Sequence, residues 1–191
     1  MCKSGSASLA FFYCEFGDDE KKNLRGLLSS LLFQLYDQSQ SYSEILSKFY
    51  SGHRNSFQEP SDTALARCLN DIFQCAAQLP IYVIVDALDE CPKASGTPSA
   101  RGKVLKLVEE LVGLHPPNLR ICVTSRPETD IGTILNRLKS HFVSLHDEGG
   151  QRQDIEAYIG SVVDSDLVMG TWGEKERTLV TSVLSQKGDG M

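Results

Sequence analysis

The sequence lacks several features that would assign it to a class at once. It has no run of about 18 apolar residues, so we expect neither a membrane-spanning helix nor a membrane partner. Polar residues separate Met1 from a short apolar run that ends at Glu15, so we expect no secretory signal peptide. The 19 lysines and arginines are outnumbered by 25 aspartates and glutamates and form no cluster, which argues against a nucleic-acid-binding surface.

The cysteines do not form a recognisable metal or disulfide pattern. No two of them have the C-x-x-C spacing, and no histidine stands at zinc-ligand spacing from them: they are Cys2, Cys14, Cys68, Cys75, Cys91 and Cys122. Cys14 and Cys122 lie within apolar runs, where a free thiol behaves as a small hydrophobic group. We therefore expect an intracellular, cytoplasmic protein with reduced thiols.

Strand and helix patterns alternate along the 191 residues, 41% of which are hydrophobic. The predicted strands are Leu9–Cys14, Ile81–Asp86, Leu119–Thr124 and Phe142–Leu145. The predicted helices are Leu24–Leu35, Leu65–Leu79, Val104–Val112, Ile131–Leu138, Ile155–Val163 and Glu174–Gln186, with 37–60 as a loop or short helix and 91–103 as a flexible insert. This order predicts an α/β fold with a parallel sheet over 1–150, followed by a helical lid region over 151–191.

The most informative stretch is the apolar, β-branched run from Ile81 to Val85, which ends at Asp86 and is followed by Asp89 and Glu90. Such a run predicts a strand buried on both faces of a parallel sheet. Ligands bind outside the carboxyl ends of these strands, so the three acids fall where an α/β fold does its chemistry. Mg²⁺ is usually held by one or two carboxylates together with phosphate oxygens, which this cluster would suit. Solvated loop acids are the alternative interpretation.

Arg126 follows the next predicted strand, within Thr124–Pro127. Parallel strands joined by one helix present their carboxyl ends at the same sheet edge, so Asp86 and Arg126 are expected to face one crevice. Arginine suits bidentate contact with phosphate, and Pro127 favours an extended backbone at Arg126. Acids that hold a metal and an arginine that faces a phosphate are recurring parts of a nucleoside-triphosphate site.

Two segments, YVIVDALDEC at 82–91 and ICVTSRP at 121–127, together resemble the NACHT family of STAND P-loop NTPases. The resemblance is closest to fungal NOD-like receptor proteins, whose NACHT modules are often fused to ankyrin or WD40 repeats. It implies that Asp86 coordinates Mg²⁺, that Asp89 or Glu90 polarises the attacking water, and that Arg126 senses the γ-phosphate of ATP or GTP. It also implies a nucleotide-dependent switch in signalling, working through self-association or pairing with related NACHT proteins.

The phosphate-binding loop of that family, G-x-x-x-x-G-K-[ST], has no match in the sequence. The nearest segment, Gly96–Val104, has five residues between its glycines, has valine in place of the hydroxyl residue, and follows no predicted strand. We therefore expect an incomplete core that lacks the first strand and the phosphate loop. Weaker nucleotide binding and no unaided hydrolysis should follow, and the strand that carries Arg126 should lack one neighbour.

Two other functions remain open at this point. A non-catalytic interaction module could pair with full-length relatives through the exposed sheet edge. A metal-dependent hydrolase could use the three acids directly, although His115, His141 and His146 are few and show no ligand pattern.

Overall fold

The computed structural model describes residues 7–53, 59–75, 79–93, 98–138, 141–144 and 149–188. In this part of the chain it contains three strands, β1 (Ser8–Tyr13), β2 (Ile81–Asp86) and β3 (Leu119–Val123). It also contains seven α-helices: α1 (Leu24–Tyr36), α2 (Gln40–His53), α3 (Asp62–Cys75), α4 (Ala100–Gly113), α5 (Thr129–Leu135), α6 (Gly149–Ser165) and α7 (Glu174–Gly188). Short 3-10 turns lie at Leu88–Glu90 and Met169–Thr171.

The three strands form one parallel sheet in the order β1-β2-β3. The predicted α/β character and the parallel sheet are therefore confirmed. In the register, Phe12 pairs with Val85, and Val85 pairs with Val123. The carboxyl ends of all three strands consequently lie at one edge, next to each other.

One face of the sheet belongs to the hydrophobic core. Ala10, Phe12, Val83 and Val85 point into it, and α1 contributes a leucine stripe that is almost fully buried. That stripe has the i, i+3, i+4, i+7 spacing of an amphipathic helix: Leu24, Leu27, Leu28, Leu31, Leu32 and Leu35. The same core extends over α2, α3, α4 and α5, so these elements pack as one unit.

The opposite face is open, which corrects the prediction that β2 is buried on both sides. Tyr82 is 42% exposed and Ile84 is half-buried, while the neighbouring Phe11 and Tyr13 are 41% and 57% exposed. The reason is that the helices of the core pack on one face, so alternate residues of each strand remain accessible.

Two other predictions are corrected. Residues 142–144 do not form a strand and are without regular structure, while Leu145 lies outside the described residues. Phe142 and Val143 are exposed, so no neighbouring strand or core stabilises an extended pairing there. In the segment 37–60, α2 forms a full helix of 14 residues, because Tyr42 and Leu46 reach the core one turn apart.

The outer hydrogen-bonding edges of β1 and β3 differ. Along β1, the side-chain amide of Gln38 donates to Leu9 O and accepts from Leu9 N, the latter at 2.9 Å. In the same way, the side-chain amide of Gln34 accepts from Phe11 N at 3.1 Å and donates to Phe11 O at 2.7 Å. These two glutamines occupy the hydrogen-bonding edge that a further strand would use. In the described part of the chain, β3 pairs with β2 alone, and no side chain forms such paired contacts along its outer edge.

Residues cluster into two compact units, Met1–Ser140 and His141–Met191. The second unit consists of α6 and α7 packed against each other around the Met169–Thr171 turn. Arg177 of α7 forms an ion pair with Asp164 of α6, at 3.0 Å. Within the described ranges, no helix combines the length and apolar character that crossing a bilayer requires.

Candidate functional site

The candidate site lies at the carboxyl edge of β2, where the chain turns sharply after Asp86. Ala87 adopts the left-handed conformation, with φ 53° and ψ 47°. Such a backbone is unfavourable for a residue with a Cβ, and strained residues of this kind are concentrated at functional sites. The turn of Leu88–Glu90 follows at once and is anchored by Leu88, which is fully buried. Asp89 and Glu90 are thereby held beside the strand end in a fixed turn.

Thr124 joins the end of β3 to this turn. Its hydroxyl donates to Asp86 Oδ1 in a short hydrogen bond and accepts from the Ala87 N–H at 3.0 Å. Its carbonyl accepts from the Leu88 N–H at 2.9 Å. The strained peptide at Ala87 therefore has its N–H paired, and one oxygen of Asp86 is oriented.

Arg126 lies against Asp89, whereas the sequence analysis expected it to face one crevice with Asp86. Asp89 Oδ1 accepts from the backbone N–H of Arg126 at 3.0 Å. The guanidinium is held more loosely, with Arg126 Nε 3.6 Å from Asp89 Oδ2. The Asp89 side chain is 12% exposed and that of Arg126 is 79% exposed. Asp89 thus holds the backbone at Arg126 in place, while the guanidinium of Arg126 remains in solvent.

The other two carboxylates of the cluster, Glu90 and the second oxygen of Asp86, have no partner among the described residues. Within the described residues, no hydrogen bond or ion pair involves the Glu90 side chain, and none involves Asp86 Oδ2. Both residues are half-buried. The two carboxylates are therefore the groups that can take a further ligand.

Arg101, which the sequence analysis placed in a flexible insert, is the buried centre of this region. It is 5% exposed and lies in the first turn of α4. Its Nε donates to Cys91 O at 2.9 Å, and its Nη2 donates to Asp89 O at 2.5 Å. Arg101 therefore holds the Leu88–Glu90 turn, called the acid turn below, by hydrogen bonds to the backbone carbonyls of Asp89 and Cys91, on either side of Glu90.

The other end of the Arg101 guanidinium meets the segment that follows Arg126. Its Nη1 lies 3.4 Å from Asp130 and 3.6 Å from Glu128, and Lys93 reaches the same two carboxylates at 3.3 and 3.5 Å. Partial burial raises the pKa of Asp130, but the hydrogen bond from Lys93 and the nearby Arg101 outweigh it, so the pKa is lowered. The acid turn and the segment after Arg126 are thus joined by one ionic cluster.

Two buried thiols lie directly behind the acid turn. The Sγ atoms of Cys14 and Cys91 are 3.4 Å apart, and both residues are buried. The hydrogen bond to Cys91 and burial raise the pKa of Cys14. The contact with Cys14 lowers the pKa of Cys91, against the effect of burial and with help from Arg101.

We tested whether these residues suit a metal ion. In the described part of the chain, no three His, Cys, Asp or Glu side chains converge as a metal-binding group. Within the described residues, the metal-dependent hydrolase hypothesis therefore has no ready-made ligand group, and it stays a prediction. His115 follows α4 at the amino end of β3, the edge opposite the acids, and His146 lies outside the described residues. One strand-end carboxylate with a free oxygen, Asp86, does suit Mg²⁺ that brings its own phosphate ligands.

Sequence reasoning proposed Asp86, Asp89, Glu90 and Arg126 as site residues, which stays a prediction, and it did not identify the residues that hold them in place. Thr124 was within the quoted motif, but only the structure shows its hydroxyl between Asp86 and Ala87. For Arg101, the sequence contained one signal of a structural role. A cation in the first turn of a helix opposes the helix dipole, so a buried arginine there needs acidic partners.

Comparison with known families relates the chain to one that the candidate site also suggests. A family model described as "Nephrocystin 3, N-terminal", a NACHT-associated region, matches residues 1–126, which is 126 of the 191 residues. The matched range includes the three described strands and ends at Arg126, so it contains Asp86, Asp89, Glu90 and Arg126, whereas Glu128 and Asp130 lie beyond it. Neither the curated proteins nor the solved structures contain a significant match.

Proposed function

We propose that this chain, which belongs to the nephrocystin 3 N-terminal family, is a partial NACHT-type nucleotide-binding module that works as a nucleotide-dependent signalling switch. We also infer a relation to the NACHT modules of fungal NOD-like receptor proteins. The observation that carries it is the connected edge of β2 and β3. There Thr124 hydrogen-bonds Asp86, and Asp89 accepts from the Arg126 N–H while the Arg126 guanidinium stays 79% exposed.

Asp86 would hold Mg²⁺ through its free oxygen, while Thr124 keeps the other oxygen oriented. The ion, when bound, neutralises charge on the phosphate oxygens of ATP or GTP. A carboxylate fixed by a strand end and a hydroxyl loses little conformational freedom on binding a ligand, which favours such a contact.

Arg126 would contact the terminal phosphate. Its long, single contact with Asp89 at 3.6 Å and its 79% exposed side chain mean that little energy holds it in place. Exposed ion pairs of this kind contribute about 0–1 kcal/mol. The guanidinium can therefore leave Asp89 for an anionic ligand at small cost, while its backbone stays fixed by Asp89 Oδ1.

The two further acids have different surroundings. The Asp89 side chain is nearly buried and already accepts from the Arg126 N–H, so Asp89 positions Arg126. Glu90 is half-buried and has no partner within the described residues, so it is the better group to orient a water molecule. Of Asp89 and Glu90, the two acids expected to serve catalysis, Glu90 is therefore favoured as the group that orients the attacking water.

The chain contains no phosphate-binding loop motif, so the proposal concerns the metal and sensor side of a nucleotide site. We expect weak binding by the chain alone and no appreciable hydrolysis. A phosphate loop on a related chain could complete the site, which would couple nucleotide binding to pairing.

The test is equilibrium binding of fluorescent ATP and GTP to the purified chain in the presence of Mg²⁺. Asp86→Asn keeps the shape and the Thr124 contact but removes the charge, and Arg126→Gln removes the cation. We expect each to weaken binding by about tenfold or more, a change of about 1.4 kcal/mol. Asp71→Asn and Arg120→Gln, which change exposed residues elsewhere, should leave the Kd unchanged.

Saturable binding that responds only to the site variants would support the proposal. Binding that Arg120→Gln weakens as much as Arg126→Gln would show that positive charge at any position attracts the nucleotide, and would contradict a specific role for Arg126. If the folded chain binds neither nucleotide at millimolar concentration, the nucleotide-switch proposal is wrong for this chain.

A second candidate function is a non-catalytic interaction module, and the difference between the two sheet edges favours it. Gln34 and Gln38 occupy the outer edge of β1, whereas no described residue makes paired contacts along the outer edge of β3. An open edge next to an exposed apolar face is the geometry on which a further strand can add.

Sedimentation velocity over a wide range of chain concentrations tests this second function. Cys122 is exposed on the open face of β3, so Cys122→Lys would place a charge at the pairing surface. We expect it to weaken self-association, whereas Gln74→Lys on the exposed side of α3 should not. A wild-type chain that stays monomeric throughout, with or without a related NACHT chain, would contradict this function.

A further inference from the structure

Cys14 and Cys91 face each other in the interior although 77 positions separate them in the sequence. Cys14 follows the last residue of β1, and Cys91 follows the turn that carries Asp89 and Glu90. Their sulfur atoms are 3.4 Å apart, and the residues are 5% and 0% exposed. Among the cysteines that the structure describes, no other pair of sulfur atoms is in contact.

The backbone on both sides of the pair is held in place. The Cys14 N–H donates to Asp86 O at 3.0 Å, which extends the pairing of β1 with β2 by one residue. The Cys91 N–H donates to Leu88 O at 3.2 Å, and its carbonyl accepts from Arg101 at 2.9 Å. The sulfur atoms therefore meet because of the fold and remain neighbours while the acid turn is formed.

We propose that Cys14 and Cys91 are an oxidisable dithiol site that closes to an intramolecular disulfide when hydrogen peroxide reaches it. A disulfide bond is about 2.05 Å long, so the two sulfur atoms need to approach by roughly 1.4 Å, which side-chain rotation with a small shift of the turn can supply. Hydrogen peroxide is close to water in size and can enter where a larger oxidant cannot.

The chemistry balances with peroxide as the only oxidant. The Cys91 thiolate attacks one peroxide oxygen, the O–O bond breaks, and the departing hydroxide takes up a proton to become water. The resulting Cys91 sulfenic acid is attacked by Cys14 sulfur, which forms the S–S bond and releases the second water as the Cys14 proton is transferred. Two thiols are oxidised by two electrons in total, and one peroxide is reduced to two waters.

The bond would tie the end of β1 to the turn that carries Asp89 and Glu90. A cross-link across this many residues restricts the unfolded chain strongly, so the oxidised form should also be harder to unfold. It would fix the acid turn independently of Arg101.

The test treats the full chain with hydrogen peroxide in a background of Cys75→Ser and Cys122→Ser, which removes the described exposed thiols. Remaining thiols are blocked with N-ethylmaleimide, and unreduced peptides are mapped by mass spectrometry. We expect a Cys14–Cys91 peptide pair as the main cross-link, the loss of two free thiols per chain, and reversal by dithiothreitol. The midpoint of thermal unfolding should rise by roughly 5 °C or more.

Cys14→Ala and Cys91→Ser should each abolish both the cross-link and the thermal shift, with circular dichroism to confirm that the variants fold. Cys68→Ser, which changes a buried thiol away from the pair, should leave both intact. Recovery of Cys14 and Cys91 as free thiols after oxidation of the folded chain would overturn the proposal. The same cross-link forming equally fast in urea would also overturn it, because the fold would then play no part.

Discussion

Replacing Arg101 with methionine removes the buried cation that grips the acid turn. The side chain of Arg101 is only 6% exposed, and methionine retains much of its apolar length. The substitution therefore removes the hydrogen bonds to Asp89 O and Cys91 O and the ion pairs with Glu128 and Asp130, without opening a large cavity.

The size of the effect follows from the partners left behind. Breaking a fully buried ion pair from one side costs about 3–5 kcal/mol. Here the side chains of Glu128 and Asp130 are 39% and 32% exposed and keep Lys93, so water and Lys93 can compensate for the lost cation. The main loss is at the two carbonyls, at about 1–3 kcal/mol each. We expect a decrease in the free energy of unfolding of about 3 kcal/mol, and a midpoint lower by about 6–12 °C.

Urea and thermal unfolding followed by circular dichroism measure this change. Lys103→Met is the matched control, because it removes a cation from an exposed position of the same helix and should stay within about 0.5 kcal/mol of wild type. Arg101→Lys should be intermediate, since lysine keeps the charge but cannot reach both carbonyls with a rigid fork. A loss below about 1 kcal/mol for Arg101→Met would refute the role assigned to this arginine.

Two further predictions concern the same region. Ala87→Gly should relieve the left-handed backbone at φ 53° and raise the free energy of unfolding by up to about 1 kcal/mol in urea titrations, whereas a decrease would mean that the Ala87 methyl group packs usefully. The lowered pKa of Asp130 contributes stability that is present above its unfolded value, about 3.8, and is lost as the pH falls through the folded pKa. Asp130→Asn should therefore lose less stability than wild type when urea midpoints are compared from near-neutral pH down to acid, and parallel curves would contradict this.

The fold was predictable wherever one pattern dominated a segment. The leucine spacing of α1 and the β-branched run of β2 each allow only one regular structure, and both were predicted at nearly the observed bounds. The segment Phe142–Leu145 shows the limit of this reasoning. Its apolar letters favour a strand, but a strand needs a neighbour to pair with, and sequence alone does not show whether one is in reach.

The same limit applies to side chains that act through tertiary contacts. Gln34 and Gln38 look like the polar face of α1, and only the folded structure shows them bound to the edge of β1. Likewise, Cys14 and Cys91 have no motif spacing, so their contact could not be read from the sequence. Motif residues at strand ends are predictable because the sheet positions them. The side chains that contact and hold such elements come from distant segments of the sequence, so those contacts are not predictable from local patterns.

The two arginines of the site show how burial separates two functions of one residue type. Arg101 has almost no exposure and contacts backbone and carboxylates at once, so its position cannot change without loss of the surrounding fold. Arg126 has one long contact and a head in solvent, so its position can change at little cost. Of these two arginines, Arg126 is the one that can turn towards the anionic ligand proposed above. Its movement would release Asp89 Oδ2 while Arg101 holds the turn, so the acids would stay in place during this movement.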